Sequence, residues 1–248
     1  MNAMLSHYLS ALCSSPCMIV PSPLLMNLII YGISCCDIIV NMIDKPLFIT
    51  FEGCDGTGKT TQAKLLANNM NALLTSDPKG TDYGREITDK AIANEHDWTL
   101  AFAFLSARAA LTENIIMPAL ESGRTVICDR FMDSMLVYQG MLGGLDANLL
   151  AMFSLTASHG LKPDCTVLLT YDDVETMHSH IVMRARMQGE RLDRFDRMDA
   201  DHMRAVSNGF MRLADTEPDR FIVIHCDGKS IESIHSEILK KLEAKGLL

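Results

Sequence analysis

The fold of this chain is decided by the stretch Phe51-Glu52-Gly53-Cys54-Asp55-Gly56-Thr57-Gly58-Lys59-Thr60. Its glycine, four residues and Gly-Lys-Thr match the spacing of a Walker A loop. The stretch follows an apolar run that ends at Phe51 and precedes a helical pattern that begins at Thr60. This order of strand, loop and helix is the context in which the spacing predicts a nucleotide-binding site.

The loop predicts a set of contacts to a polyphosphate. Its glycines let successive backbone N–H groups curl around phosphate oxygens, and the N-terminus of the following helix adds partial positive charge. Lys59 is placed to reach the β- and γ-phosphates, and the Thr60 hydroxyl to ligate Mg²⁺. A glycine-rich turn that happens to carry a lysine is the less favoured alternative in this context. The predicted ATP-binding residues are Gly53, Cys54, Asp55, Gly56, Thr57, Gly58, Lys59, Thr60 and Thr61.

Composition limits the class of protein. The chain has 248 residues, 48% hydrophobic and 21% charged, which suits one or two globular domains. Its net charge of -9 argues against a protein that coats nucleic acid, because a phosphate backbone demands a basic surface. The eight cysteines form no CxxC pair, and a disulfide framework is not expected in a chain that binds ATP. We therefore predict a reducing, cytoplasmic location.

Residues 1–44 differ from the rest of the chain, because they contain no lysine or arginine and only two acidic residues. A signal peptide or a mitochondrial presequence would carry basic residues. Pro21, Pro23 and Asp37 interrupt any membrane span of the required ~20 residues. We interpret 1–44 as a poorly ordered or spurious extension and 45–248 as the folded domain, with no stable membrane association.

From Met42 onward the sequence alternates short apolar runs with longer helical patterns. The runs are near-continuously apolar, as buried parallel strands require. The predicted strands are Leu47–Glu52, Ala72–Thr75, Thr125–Asp129, Cys165–Thr170 and Phe221–His225. The predicted helices are Thr60–Met70, Tyr83–Ala93, Trp98–Glu121, Ser134–Leu142, Ala147–His159, Asp173–Met187, Asp199–Asp215 and Ser230–Ala244. The alternation indicates a three-layer α/β domain with a parallel sheet of about five strands, in which ligands collect at the carboxyl ends of the strands.

Asp129 and Arg130 end the third predicted strand. At this edge of the sheet an acidic side chain can hold Mg²⁺ or its water, and an arginine can bond a phosphate through two N–H groups. A surface ion pair is the alternative. The strand-end position favours the metal and phosphate sites.

Phe104 and Arg108 are four residues apart, which places them on one face of a helix. Such a pair can stack on a planar base and hydrogen-bond its edge. Taken alone, the pair is more typical of core packing beside a solvated arginine.

The segment Arg184-Ala185-Arg186-Met187-Gln188-Gly189-Glu190-Arg191-Leu192-Asp193-Arg194 is rich in arginine around a glycine. This composition is typical of a mobile flap that closes on phosphates, although the end of a mixed-charge helix would look similar. Together, Lys59 and this segment form two phosphate-binding sets. Two sets indicate a donor and an acceptor nucleotide, and so phosphoryl transfer instead of hydrolysis.

The chain resembles the thymidylate kinase family of P-loop nucleoside monophosphate kinases from Pro46 to Leu242. The resemblance rests on Phe48-Ile49-Thr50-Phe51-Glu52-Gly53 with Asp55-Gly56-Thr57-Gly58-Lys59-Thr60-Thr61-Gln62, on Asp129-Arg130 with Ser134 and Tyr138-Gln139-Gly140, and on Lys162-Pro163-Asp164. The Walker A loop carries no arginine, whereas the segment 184–194 carries several. This division is similar to the bacterial type, in which a mobile lid, here about 184–197, supplies the catalytic arginine.

The resemblance implies roles for individual residues. Asp55 would accept a hydrogen bond from the 3′-hydroxyl of the acceptor, and Arg130 would bind its phosphate. Phe104 would stack on thymine and Arg108 would bond its edge, whereas Tyr138 would crowd the 2′ position. The implied substrate-binding set is Asp55, Lys79, Phe104, Arg108, Arg130, Ser134, Tyr138 and Gln139, the metal set is Thr60 and Asp129, and the catalytic set is Lys59, Arg130, Arg186, Arg191 and Arg194.

Several positions depart from the family pattern. Ser76-Asp77-Pro78-Lys79-Gly80-Thr81 stands where Arg-Glu-Pro-Gly-Gly-Thr is usual, so that Lys79 replaces the charge of an arginine without its two-pronged geometry. Met135 stands where a polar side chain commonly faces the base, Thr170 replaces the usual aspartate at the end of the fourth strand, and Arg191 looks like an insertion in the lid. These changes bear on the choice of substrate more than on the type of reaction.

The predicted reaction is transfer of the ATP γ-phosphoryl group to dTMP, giving dTDP for dTTP synthesis, with Mg²⁺ as cofactor and a homodimer implied by the resemblance. One alternative is a kinase of the same fold that acts on another nucleotide or nucleoside. Another is a catalytically silent nucleotide-binding protein, which the retained Lys59, Asp129 and Arg130 argue against. A switch GTPase is disfavoured because its Asn-Lys-x-Asp signal is absent. The apolar helix around Leu100–Leu111 is one possible dimer interface, although a core-facing helix would have the same pattern.

Overall fold

The structure is a computed structural model that describes residues 45–92, 97–188 and 199–248. The predicted extension 1–44 lies outside the described residues, and its separation from the domain 45–248 stays a prediction. Arg191 and Arg194 of the predicted lid also lie outside the described residues. Arg186 belongs to a helix of which the backbone is described.

Five parallel strands form one sheet in the described part of the chain, in the order β2-β3-β1-β4-β5. The strands are β1 (Phe48–Glu52), β2 (Leu73–Ser76), β3 (Val126–Asp129), β4 (Cys165–Thr170) and β5 (Phe221–His225). The predicted bounds are correct for β4 and β5 and differ by one residue in the other three strands. The predicted parallel sheet of about five strands is confirmed.

Helices connect the strands and cover both faces of the sheet. They are α1 (Lys59–Met70), α2 (Asp82–Ile92), α3 (Asp97–Leu111), α4 (Met117–Glu121), α5 (Met132–Met135), α6 (Ala147–Ala157), α7 (Val174–Gln188), α8 (Ala200–Thr216) and α9 (Ile231–Ala244). The predicted N-cap of the last helix is present, because the Ser230 hydroxyl accepts a hydrogen bond from the Ser233 N–H at 3.2 Å.

Two predicted helices contain wider turns that the sequence analysis did not anticipate. The predicted helix Trp98–Glu121 consists of α3, a π-helical segment Thr112–Ile116, and α4. Pro118 lies at the start of α4, and a wider turn before it fits a residue that lacks an N–H and crowds the preceding turn. The predicted helix Ser134–Leu142 overlaps α5 and a second π-helical segment, Leu136–Leu142. Both stretches are helical, as predicted, and the π-helical turns are a detail that the sequence pattern does not specify.

The hydrophobic core lies on both faces of the sheet, because successive residues of a strand point to opposite sides. Ile49 and Phe51 of β1 belong to the larger cluster, whereas Phe48 packs in a second cluster with Leu111 and Phe131. All five side chains are at most 1% exposed. The domain therefore has the predicted three layers, and the ends of β1 and β3 lie near its middle.

The helical stretch Asp97–Glu121 is long and apolar enough to cross a membrane by length and composition. Half of its most apolar 18-residue segment is buried inside the domain. A core helix of a soluble protein passes the same test, so we interpret this stretch as part of the core.

Candidate active site

The Walker A loop leaves β1 through a backbone that only glycine fits. Gly53 has φ 137°, and a Cβ added there would lie 2.3 Å from the carbonyl oxygen of Leu169. Gly58, with φ 89°, occupies the N-cap of α1. The two glycines thus set the curvature of the loop between the strand and the helix.

Lys59 lies beneath the loop with its ammonium group buried. Its Nζ donates a hydrogen bond to the Cys54 carbonyl at 2.7 Å and lies 3.6 Å from the Asp55 carboxylate. Burial lowers the pKa of Lys59, and Arg130 lowers it further, whereas Asp55 opposes the shift. The side chain therefore places a cation inside the loop, and its predicted contact with the β- and γ-phosphates stays a prediction.

Thr60 and Asp129 form a cluster of oxygen atoms suited to Mg²⁺. The Thr60 hydroxyl donates to Asp129 Oδ2 at 2.5 Å, and Asp129 Oδ1 is buried without a hydrogen-bond partner. Hydroxyl and carboxylate oxygens are ligands that this hard cation prefers. The described residues contain no group of three or more His, Cys, Asp or Glu that could hold a metal alone. A cation here would take its other ligands from phosphate and water.

Arg130 occupies an unusual backbone conformation between the two strand ends. Its φ is 68°, and its Nη2 lies 2.5 Å from Asp55 Oδ1 while its Nη1 donates to the Ser134 hydroxyl at 3.0 Å. Its guanidinium carbon also lies 5.5 Å from the centre of the Tyr138 ring. Arg130 therefore pairs with the Walker A loop, which makes a simple surface pair with Asp129 the wrong interpretation.

Two cavities open at this edge of the sheet, and Asp55 and Arg130 line both. The first cavity follows the Walker A loop and includes Asp129 in its lining. The predicted ATP-binding residues from Asp55 to Thr61 line it, whereas Gly53 and Cys54 do not and serve to shape the loop. The second cavity, of about 350 Å³, is lined by every predicted substrate-binding residue: Asp55, Lys79, Phe104, Arg108, Arg130, Ser134, Tyr138 and Gln139.

The first cavity also has a wall that the sequence analysis missed. Lys229, Ser230 and Ile231, which follow β5, line it together with Tyr171 and Ile181. The available signal was the position of Lys229 and Ser230 after a buried parallel strand, where ligands collect.

Arg108 forms the floor of the second cavity and is only 2% exposed. Its Nε donates to Asp77 Oδ2 at 2.7 Å, its Nη1 to the Ser154 hydroxyl at 3.1 Å, and its Nη2 to the Phe131 carbonyl at 3.2 Å. The interpretation of a solvated arginine is therefore wrong. Burial raises the pKa of Asp77 and Arg108 opposes the shift, and Asp77 Oδ1 has no hydrogen-bond partner among the described residues.

Two residues that depart from the family pattern, Met135 and Lys79, line the same cavity as Arg108. Met135 is 1% exposed, and its sulfur lies 3.9 Å from Arg108 Nη1 and 3.4 Å from the Ser154 hydroxyl. Lys79 lies at the rim, where its Nζ is 2.8 Å from the Asp89 carboxylate and both side chains are exposed. Met135 thus packs against the arginine that the sequence assigned to the base, and the charge of Lys79 is shared with a neighbour.

Two ligand cavities that meet at one arginine suit a transferase, because group transfer needs donor and acceptor aligned side by side. Fold and site together define the class of the P-loop nucleotide kinases. Within this class, the family model described as "Thymidylate kinase" matches residues 51–238. The chain belongs to the thymidylate kinase family.

Individual relatives agree with this family. The thymidylate kinase of Symbiobacterium thermophilum is 36% identical over 206 residues, which cover 79% of this chain and 92% of the relative. That of Dehalococcoides mccartyi strain CBDB1 is 39% identical over 185 residues, 71% of this chain and 86% of the relative. The crystal structure of thymidylate kinase from Ehrlichia chaffeensis matches with a TM-score of 0.64 and 30% identity, covering 79% of this chain and 98% of that one. Membership in the family assigns to the chain the phosphorylation of dTMP to dTDP, as the sequence predicted.

The buried Arg108–Asp77 pair leads to a prediction on stability. We expect Asp77→Asn to lower the free energy of unfolding by about 3 kcal/mol, because it leaves a buried guanidinium without its counter-charge. The matched control is Asp89→Asn, which removes the same charge from the exposed pair with Lys79 and should cost less than about 1 kcal/mol. Urea denaturation measures both values. Equal losses in the two variants would contradict the structural role of the buried pair.

Proposed function

We propose that the first cavity binds ATP, that the second binds dTMP, and that the phosphoryl group passes between them at Asp55 and Arg130. The observation that carries this proposal is that these two residues line both cavities. A γ-phosphate held by the Walker A loop and an acceptor phosphate held by Arg130 would then be neighbours. Alignment of this kind supplies much of the rate enhancement in phosphoryl transfer.

The mechanism needs no general base. The second pKa of a phosphate monoester is about 6, so the attacking oxygen of dTMP is already ionised at neutral pH. What remains is to align the two phosphates and neutralise their charge. Lys59 would exchange its hydrogen bond to the Cys54 carbonyl for oxygens of the β- and γ-phosphates, and Arg130 would bind the acceptor phosphate.

We propose that Thr60 and Asp129 hold Mg²⁺ together with ATP. The orphaned Asp129 Oδ1 beside the Thr60 hydroxyl supports this assignment. When bound, the ion would neutralise negative charge on the phosphates of ATP.

The second cavity suits a deoxynucleotide with a planar base. Phe104 provides apolar surface in its lining, and Arg108 is fixed on the floor by three protein acceptors. We propose that Phe104 stacks on thymine, that Arg108 bonds its edge, and that Asp55 accepts from the 3′-hydroxyl. Tyr138 would exclude a 2′-hydroxyl, and Gln139 and Lys79 would complete the cavity.

We further propose that Arg186, Arg191 or Arg194 covers the transferring phosphoryl group. Support comes from α7, because Ile181 of this helix lines the ATP cavity and the helix continues to Gln188. Closure of such a lid would also exclude water from the reaction.

We place the enzyme in the cytoplasm. In the described part of the chain, the thiols of Cys54, Cys128, Cys165 and Cys226 are buried and unpaired, which is compatible with a reducing compartment.

A panel of acceptors tests the assignment of the second cavity. With ATP and Mg²⁺, ADP release should be fastest with dTMP, and at least about tenfold slower with dUMP, dCMP, dGMP or dAMP. UMP, which carries the 2′-hydroxyl, should react more slowly than dUMP because Tyr138 crowds that position. If a purine nucleotide were the best acceptor, the proposed contacts of Phe104 and Arg108 with the thymine base would be wrong.

Lys59→Ala tests the assignment of the donor site. We expect kcat to fall by about 10³-fold or more, because a cation aimed at the transferring phosphates is lost from a buried site. Lys64→Ala is the control on the same helix, since Lys64 is exposed and does not line the first cavity. Circular dichroism should show both variants folded. Retained turnover in folded Lys59→Ala would refute the role of the loop.

We also propose that the enzyme is a homodimer. The expected interface around Leu100–Leu111 needs a correction, because Leu100, Leu105 and Leu111 point into the domain's own core. The apolar residues exposed on this side come instead from the outer faces of α3 and α6. They are Trp98, Phe102, Leu149 and Met152, with the Phe153 ring 5.8 Å from that of Phe102. A contiguous exposed patch of this kind marks an association surface, and a second copy of the chain is the proposed occupant.

The dimer proposal has a matched test within the chain. Leu149 and Leu74 are 41% and 40% exposed, but only Leu149 belongs to the α3–α6 patch. Leu149→Lys should weaken dimerisation by about 30-fold or more, since a charge would be buried at the interface, whereas Leu74→Lys should leave it unchanged. Light scattering during size-exclusion chromatography measures the mass. A monomeric parent protein, or a dimer unaffected by Leu149→Lys, would rule out this interface.

A further inference from the structure

Glu52 is a fully buried carboxylate for which the reaction above has no use. It ends β1, directly before the Walker A loop, and is 0% exposed. Its Oε1 accepts hydrogen bonds from the backbone N–H of Phe131 at 2.8 Å and of Ser134 at 3.3 Å. Its Oε2 accepts from the Ser134 hydroxyl at 2.6 Å. A single side chain of β1 thus holds the turn that follows β3.

That turn carries Arg130. An arginine with φ 68° is in the left-handed region, which a side chain adopts at a cost and retains only when its surroundings fix it. The hydrogen bond from the Phe131 N–H to the Glu52 carboxylate holds in place the residue directly after Arg130. The Ser134 hydroxyl donates to Glu52 and accepts from Arg130 Nη1, so it connects the two charged groups.

We propose that Glu52 is a positioning residue for the acceptor phosphate, acting on Arg130 through the Ser134 hydroxyl and the Phe131 amide. The inference rests on the proposed role of Arg130. As a carboxylate, Glu52 is an acceptor only, so the Ser134 proton must point toward it and the serine lone pairs toward Arg130. Arg130 is then held by Ser134 on one nitrogen and by Asp55 on the other.

The charges around Glu52 make this arrangement sensitive to pH. The pKa of Glu52 is raised to about 7, chiefly by burial and then by the charge of Asp133 of α5, while Arg130, Ser134 and Phe131 oppose the shift. Asp133 is itself paired with Arg220 at 2.7 Å, and the Cys128 thiol of β3 is buried nearby. Protonated Glu52 would carry an O–H that can donate to the Ser134 hydroxyl. The serine proton would then no longer have to point toward Glu52, and its lone pairs would no longer be directed toward Arg130. Positioning is therefore expected above pH 7, with loss as the pH falls through that value.

The test variant is Glu52→Gln, which keeps the size and turns one oxygen into a donor. We expect KM for dTMP to rise about tenfold, KM for ATP to stay within about twofold, and the variant to remain folded by thermal denaturation. The matched control is Glu217→Gln, which removes a carboxylate charge at Arg220, away from Arg130. Equal increases in both KM values for Glu52→Gln would mean a general structural role and would overturn the proposal.

A pH profile provides a readout that does not depend on the folding of Glu52→Gln. In the parent enzyme, kcat/KM for dTMP should fall below about pH 7 because of Glu52 and again near pH 6 because of the substrate phosphate. Ser134→Ala keeps Glu52 and its backbone hydrogen bonds but removes the hydroxyl that connects it to Arg130, so the inflection near 7 should shrink while that near 6 remains. If Ser134→Ala keeps the inflection near 7 undiminished, the proposal is wrong.

Arg130→Lys separates this inference from the proposed site. It should raise KM for dTMP, because a lysine cannot bond a phosphate and Ser134 with the same fork geometry. If it does not, the assignment of Arg130 to the acceptor phosphate fails, and the inference fails with it. If Arg130→Lys raises KM and Glu52→Gln does not, only the role of Glu52 is refuted.

Discussion

The parallel pairing of β1 with β3 is the constraint on which the active site depends. Phe51 pairs with Asp129, and the Arg130 N–H continues the ladder by donating to the Phe51 carbonyl at 2.9 Å. The two strands therefore end side by side, with the Walker A loop leaving one and the Asp129-Arg130 turn leaving the other. A shift of this register by one residue would reverse the faces on which the side chains lie. Thr60 would then no longer meet Asp129, nor Asp55 meet Arg130.

The active site also depends on partners for the charged side chains that are buried at the strand ends. Lys59, Arg108 and Glu52 are at most 5% exposed, and charges withdrawn from water are tolerated only with partners. Each has partners that come from a different element of the fold. Because these partners converge from several elements, the site is organised before substrate arrives. A preorganised site of this kind stabilises developing charge without reorganisation at the moment of transfer.

The sequence analysis identified features formed by neighbouring residues and missed contacts between residues that are far apart in the chain. Strands β4 and β5 were predicted with their correct bounds, because continuous apolar runs bounded by polar residues carry that information alone. The Walker A loop was equally accessible, since its function resides in ten consecutive residues. The partners of Arg108 are Asp77 and Ser154, 31 and 46 residues away, and no periodicity or spacing connects them. The same holds for Glu52 and Ser134, which are 82 residues apart and meet because β1, which ends at Glu52, pairs with β3, which leads into α5.

Two residues that depart from the family pattern, Ser76 and Lys79, bear on the role proposed for Arg130. The family pattern would place an arginine at position 76, where this chain has a serine, and the nearby Lys79 lies at the rim in an exposed pair with Asp89. Among the residues that the structure describes, Arg130 is the arginine that lines both cavities. If Arg130 binds the acceptor phosphate as proposed, its orientation would matter more in this chain than in relatives that keep the additional arginine. If Arg130 has the role proposed above, the hydrogen bonds that the turn donates to Glu52 would fix the side chain that aligns the two phosphates.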